Sequence, residues 1–176
     1  FSCCYKWTLG IQGVAIAYWN RARVPDWRPR MTGWHSVSPR PPLQRSEAPI
    51  ALEDGRAFEP GNPTFVGLFV LNNALEYLEK HSSQAIEAHA LELSGEIRKG
   101  LLKLGLEIMT PQSPAERAGN MCFVTTKAAE IRHALEERKV LVTGEDNRVR
   151  VSTHLYNNSD DVEKVLEELA EVLEDV

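Results

Sequence analysis

Apolar positions along the chain follow two rhythms, short unbroken runs and stripes at helical spacing. Phe1 to Tyr5 reads as a strand with Lys6 at its end, and Gly13 to Trp19 as a second strand, near-continuously apolar as in a sheet covered on both faces. Residues 20–60 then form a long connection carrying Pro25, Pro29, Pro39, Pro41 and Pro42. A connection of that length without elements of its own is usually functional or interfacial. From Pro63 onward Val66, Phe69, Val70, Ala74, Tyr77 and Leu78 recur at helical spacing, predicting a helix that ends near Lys80 and His81.

The polar step His81-Ser82-Ser83 opens a second region. Ile86, Ala90, Leu93, Ile97, Leu101 and Leu104 trace one face of a long helix that stops at Gly105, a natural left-handed cap position. Strands are expected at Leu106 to Met109 and Met121 to Thr125, a helix over Ala128 to Arg138, and further apolar pieces at Val140 to Val142 and Val149 to Val151. In the last helix Asn158 or Ser159 is the cap, Asp160 and Asp161 favour its positive end, and Val162, Val165, Leu166, Leu169, Val172 and Leu173 form its stripe. The pattern is that of an α/β protein in two parts. Residues 1–82 hold two strands, a long loop and a helix, and residues 83–176 form a small α/β layer domain.

Composition narrows the classes. With 43% hydrophobic and 26% charged residues the chain can bury one good core or two small ones. No apolar run reaches the roughly 18 residues of a membrane span, no secretory leader pattern is present, and a soluble, cytoplasmic protein is the expectation. Cys3, Cys4 and Cys122 cannot build a disulfide framework or a zinc site and read as buried thiols in a reducing compartment, and the five histidines show no metal spacing. Charge is uneven: residues 1–82 carry nine Lys/Arg against seven Asp/Glu, residues 83–176 eleven against eighteen, which add to the 20 and 25 of the whole. Six arginines lie between Arg21 and Arg45 with one acid, Asp26. The net charge of −5 speaks against nucleic acid as the main partner, and an arginine-rich loop beside a phosphate cofactor or a subunit interface is the more economical reading.

Three constellations carry candidate chemistry. Lys6 lies at the end of a buried strand, where partial desolvation disfavours the charged form and leaves an amine able to form a Schiff base; the plainer alternative is a lysine that reaches to water. Gly33-Trp34-His35-Ser36-Val37 pairs with Phe58-Glu59-Pro60-Gly61-Asn62-Pro63-Thr64. There Gly61 and Pro63 force a tight turn before a helix whose free N–H groups favour an anion, and Asn62 is either a further donor or an ordinary helix cap. Trp34 is a pocket residue or a core or interface aromatic. In Arg148-Val149-Arg150-Val151-Ser152-Thr153-His154-Leu155-Tyr156-Asn157-Asn158, alternation puts Arg150 on the opposite strand face from the valines, as a carboxylate clamp or a surface ion pair.

Taken together, Tyr5-Lys6-Trp7 with the following glycines, Trp34 with Asn62-Pro63, and Arg150 with Tyr156-Asn157 resemble the class V aminotransferases, which include cysteine desulfurases, kynureninases and isopenicillin-N-epimerase-like enzymes. The resemblance implies the C-terminal part of the aspartate-aminotransferase-type fold, the end of the large-domain sheet followed by the small domain. It implies pyridoxal 5'-phosphate as cofactor, Lys6 as the Schiff-base lysine and later proton carrier, Tyr5, Trp34 and Asn62 as cofactor contacts, and Arg150 on the carboxylate of an amino-acid substrate. His35 would line the substrate entry, and a homodimer with the active site at its interface is implied. The kynureninase-like or epimerase-like branches fit better than the desulfurases, because Leu141 to Asn147 offers neither a mobile cysteine nor an extra arginine. The segments that stack on pyridoxal, pair with its ring nitrogen and form the first phosphate turn have no counterpart here, so the sequence reads as the C-terminal half of a larger enzyme. The rival expectation is a noncatalytic, truncated remnant that acts as a dimerisation or interaction module.

Overall fold

A computed structural model describes residues 1–39 and 48–175. Arg40, Pro41, Pro42 and Arg45 of the proline-rich connection lie outside them. The described chain divides into two compact units, Phe1–Lys80 and His81–Val176.

In the first unit β1 (Ser2–Cys3) pairs antiparallel with β2 (Ala15–Ile16), and the Cys4 N–H extends the ladder to the Val14 carbonyl at 3.1 Å. Both strands are much shorter than the apolar runs predict, and neither residue of β2 is buried. A run such as Gly13 to Trp19 stays extended when neighbouring strands and helices cover both faces, and here β2 has one strand neighbour, leaving Tyr18 80% exposed. Within the long connection β3 (Val37–Ser38) pairs with β4 (Ile50–Ala51), and a single 3-10 turn at Gly55–Phe58 is capped by Asp54. The carboxylate of Asp54 is held below its ordinary range by the Arg56 guanidinium and backbone N–H.

α1 (Phe65–Glu79) is capped by Thr64, whose Oγ1 accepts from the Gly67 N–H. Its buried residues are Gly67 and Leu71, whereas Val66 and Phe69 of the predicted stripe are exposed. The reason is local. The opening turns are apolar on every side, so periodicity has no phase to report, and the phase is set by Gly67, which alone lacks a Cβ that would run into Val14. Leu71 then joins Cys4 and Val14 in a small core. Arginines of the connection are used on aromatic rings: Arg21 and Arg28 lie 5.1 and 5.7 Å from the Trp19 ring, which packs edge-on against Trp27 and Phe58.

The second unit follows the predicted stripes closely. α2 (Ser83–Lys103) is capped by Ser82 and buries Ala90, Leu93, Ile97 and Leu101; Gly105 follows in the left-handed region at φ 73°. β5 (Asn120–Val124), α3 (Ala128–Glu137), β6 (Thr143–Glu145), β7 (Arg148–Ser152) and α4 (Ser159–Asp175) complete it. The sheet runs β5-β7-β6, antiparallel throughout. Met121, Phe123, Val149 and Val151 point into one core with Leu93, Ile97, Leu101, Ile131, Leu135 and the α4 stripe. Fourteen buried residues form this cluster, and burial of their apolar area, at ~25 cal/mol per Å², is the main favourable term in folding the unit.

Two expected apolar pieces differ from the pattern, each for a visible cause. Lys139 takes φ 63° and the Val140 N–H returns to the Leu135 carbonyl at 2.8 Å, so Val140 closes α3 and the strand starts later. Asp146 and Asn147 at φ 50° and 57° then make a two-residue hairpin turn that fixes Glu145 opposite Arg148. Residues 106–110 run beside β5 but make one bridge, Ile108 to Phe123, because the Thr110 hydroxyl accepts the Cys122 N–H in place of a backbone carbonyl. The buried-thiol expectation holds for Cys4; Cys3 and Cys122 are part exposed.

Candidate active site

Lys6 sits after β1 in a turn closed by the Leu9 N–H on the Lys6 carbonyl at 3.0 Å and by the Gly10 N–H on the Cys4 carbonyl. The Thr8 hydroxyl donates to that same Cys4 carbonyl. Gly10 is required there, since a Cβ would lie 2.7 Å from the Cys4 carbonyl oxygen. The expectation of a lysine at the end of a buried strand is corrected: β1 ends at Cys3, and Lys6, in the turn that follows, is exposed. Its ammonium makes no ion pair among the described residues and lies 5.5 Å from the ring of Tyr5, itself 45% exposed. Through Cys4, Val14 and Leu71 this turn is anchored to α1, the helix that begins just after Asn62.

The second constellation is brought together in space. The Trp34 N–H donates to the Pro60 carbonyl at 2.8 Å, and Gly33 packs so closely on Pro60 that no Cβ would fit. Ser36, fully buried, accepts the Gly33 N–H on its hydroxyl at 2.7 Å and locks the turn. His35 Nε2 then meets Asn62 Oδ1 at 2.7 Å across 27 residues of sequence. Asn62 is not the cap of α1, a role that falls to Thr64, so its carboxamide is left exposed with His35 as its partner. Trp34 is 52% exposed and stands at the surface of the unit.

Arg150 belongs to the second unit. The alternation predicted for β7 is observed: Val149 and Val151 are buried, Arg148 and Arg150 are on the open face. Cross-strand neighbours of Arg150 are Cys122 on β5 and Thr143 on β6. Its Nη2 donates to Thr143 Oγ1 at 3.1 Å, fixing one edge of the guanidinium. A cavity of about 180 Å³ opens on this face, lined by Met109, Cys122, Thr143, Glu145, Arg148 and Arg150. Sequence reasoning missed Thr143, although the Asp146-Asn147 turn, once recognised, pairs Thr143 with Arg150 by counting back from Glu145 and Arg148. The rest of the third motif is joinery. Asn157 accepts the His154 N–H and donates to Asp161, and Asp161 and Asn158 exchange backbone N–H bonds at the head of α4.

Comparison with known proteins now bears on this arrangement. The sequence profile of the class-V aminotransferases matches residues 2–165. The chain belongs to that family. An uncharacterized aminotransferase of Bacillus subtilis is 23% identical over 165 residues, 94% of this chain and 43% of the relative. A kynureninase of Stenotrophomonas maltophilia is 29% identical over 180 residues, 95% and 42% of the two chains. Among solved structures, a cysteine desulfurase of Escherichia coli superposes with a TM-score of 0.81 at 17% identity, covering 95% of this chain and 44% of that one. The chain thus spans less than half the length of the relatives it matches, and its fold is the corresponding part of the aspartate-aminotransferase-type α/β fold. Aminotransferase, kynureninase and desulfurase all appear among the relatives, so the comparisons do not select a branch.

Class-V aminotransferases use pyridoxal phosphate, and the residues present fit part of that group. The exposed Lys6 side chain, with no ion pair among the described residues, suits its aldehyde, and the exposed Asn62 carboxamide before α1 suits a phosphate oxygen. No helix among the described residues is long and apolar enough to cross a membrane.

Proposed function

We propose that this chain supplies the lysine-bearing and carboxylate-binding part of a pyridoxal-phosphate enzyme that transforms an amino acid, by transamination, epimerisation or lyase chemistry. The observation that carries the reading is the Lys6 amine, presented on a tight turn, exposed and without an ion-pair partner among the described residues. Bound pyridoxal phosphate supplies an electron sink for the pair left at the substrate α-carbon. Lys6 Nζ would hold the cofactor through its aldehyde and would serve as the base that takes the substrate α-proton and delivers it to the carbon that the reaction requires. Asn62 donates to the phosphate, with Tyr5 and Trp34 as further contacts at the cofactor. Arg150 clamps the substrate carboxylate with the guanidinium edge that Thr143 leaves open.

Within the family the kynureninase-like or epimerase-like branches are favoured over the desulfurases. Cys122, the cysteine beside Arg150, is held in the middle of β5 and cannot swing as a mobile nucleophile. A homodimer in the cytoplasm is part of the proposal. A second reading, a noncatalytic chain that serves as a dimerisation or interaction module, draws on the apolar residues that α1 leaves exposed, Phe65, Val66 and Phe69 at 64%, 70% and 71%.

The test is covalent. Incubation of the chain with pyridoxal phosphate, borohydride reduction and peptide mass mapping are expected to label Lys6 and to leave Lys6→Ala unlabelled. Scattered labelling, or labelling unaffected by the substitution, refutes the enzyme reading and leaves the interaction module.

A further inference from the structure

The geometry points to His35 as a positioning residue that orients the Asn62 carboxamide for an anionic phosphate group. This rests on the proposed role of Asn62 as a phosphate donor and goes beyond it, because it assigns the source of that residue's orientation. A free asparagine side chain rotates, and an amide turned the wrong way presents its oxygen, an acceptor that repels a phosphate. At 2.7 Å the Asn62 Oδ1 is occupied by His35 Nε2. With the carboxamide oxygen as acceptor, the imidazole donates from Nε2–H, and both Nδ2 hydrogens of Asn62 face away as donors. A second proton on the ring leaves the Nε2–H donor in place and adds a positive charge near the anion.

The backbone that carries the imidazole is itself held. It lies between the Trp34 N–H, bonded to the Pro60 carbonyl, and the Ser36 N–H, bonded to the Gly33 carbonyl at 3.3 Å. Ser36 and Val37 on its C-terminal side are buried, and the Leu52 N–H ties down the Ser36 carbonyl at 2.9 Å. Gly33 pressed against Pro60 keeps the two turns at contact distance. Two adjacent contacts on Pro60, the Trp34 N–H bond and the close approach of Gly33, therefore fix the turn that carries His35 relative to residues 60–62, and the partner of Asn62 is preset before any ligand arrives, the arrangement by which an outer residue tunes an inner one.

The phosphate itself separates this role from a merely structural one. The concentrations of pyridoxal phosphate and of pyridoxal that half-label Lys6 under borohydride are measured for the full chain, and their ratio is the phosphate preference. His35→Ala is expected to lower that preference about 3- to 10-fold, the loss of one donor's orientation, with pyridoxal labelling unchanged. His35→Gln, whose amide donates at a similar reach, is expected to recover it to within about twofold. Asn62→Ala is expected to lower it at least as far, and the double variant no further than Asn62→Ala alone. If Asn62→Ala lowers the preference while His35→Ala leaves it intact, or if the two losses add, the positioning role is overturned and the phosphate reading stands. An unchanged preference in Asn62→Ala overturns both. Equal loss of pyridoxal phosphate and pyridoxal labelling in His35→Ala shows a damaged turn and also overturns the inference.

Discussion

Gly144 offers a sharp test of the second unit's packing and of the site it supports. The residue lies in β6 beneath α3, and a Cβ added to it would fall on the Ala128 carbonyl oxygen and within 2.7 Å of the Arg132 Cβ. The oxygen is backbone, at the start of α3, and cannot swing aside. Gly144→Ala must therefore shift β6 from α3 at a cost of about 1–3 kcal/mol for an overpacked core, offset by roughly 0.4–1 kcal/mol from the stiffer unfolded chain. The net is a destabilisation of about 2 kcal/mol, toward the upper end because the obstacle is backbone. With a urea slope of about 2 kcal/mol per M, the midpoint falls by about 1 M. Among the described residues three of the four α-helices lie in the second unit, and all four tryptophans are in the first, so far-UV circular dichroism reports mainly the second unit and tryptophan fluorescence the first. The dichroism midpoint should move. Gly55→Ala, with nothing within 4 Å of its Cβ, is the control expected to be neutral to slightly stabilising. A Gly144→Ala midpoint equal to or above that of the parent chain would sink the packing argument, and with it the register that pairs Thr143 with Arg150.

Two further outcomes follow from hydrogen bonds already described. The Asp161 carboxylate accepts from Asn157 Nδ2 and the Asn158 N–H, which lower its pKa below the ordinary 3.8. A depressed carboxylate stabilises the fold above the unfolded value and loses that contribution as pH falls through the folded one. Asp161→Ala should cost roughly 0.5–1 kcal/mol at neutral pH, discounted for its exposure, and the midpoints of variant and parent should converge below about pH 3.8; a gap that stays constant with pH refutes the capping role. At the proposed carboxylate site, Thr143→Val in the cofactor-loaded enzyme should raise KM for the amino acid about 3- to 10-fold with kcat within about twofold, and Thr143→Ser should restore it; a fall in kcat with KM unchanged would show that Thr143 does not act through carboxylate binding.

The helices of the second unit were legible because each has one apolar face and a polar remainder. Val162, Val165, Leu169 and Val172 follow from the stripe of α4, and all four are buried. Cap chemistry was equally local, as Asn158 and Gly105 show. The first unit was less legible because its phase depends on contacts far apart in sequence. In α1 the sequence Phe65 to Leu71 is apolar on all sides, and a glycine fitted against Val14 decides which side turns inward. Lys6 could be singled out from its neighbours, but its surroundings could not, since exposure depends on what covers the strand pair. The clamp between Gly33 and Pro60 and the pairing of His35 with Asn62 required two turns to meet across a connection that no periodicity describes.

The closing motif separates fold from chemistry residue by residue. Val149 and Val151 serve the core, Thr153 bonds the Gly119 carbonyl through both its N–H and its hydroxyl, and Asn157 and Asn158 build the turn into α4. A chain that had lost all ligand binding would still need these residues to fold. It would not need Arg150, whose guanidinium lies on the open face with one edge held by an exposed hydrogen bond worth little to stability. Nor would it need an exposed Lys6 ammonium that has no ion pair among the described residues. Within the second unit, then, the fold explains the valines, Thr153 and the two asparagines of this motif and leaves Arg150 unexplained, so Arg150 is the residue of the motif whose substitution separates ligand binding from folding.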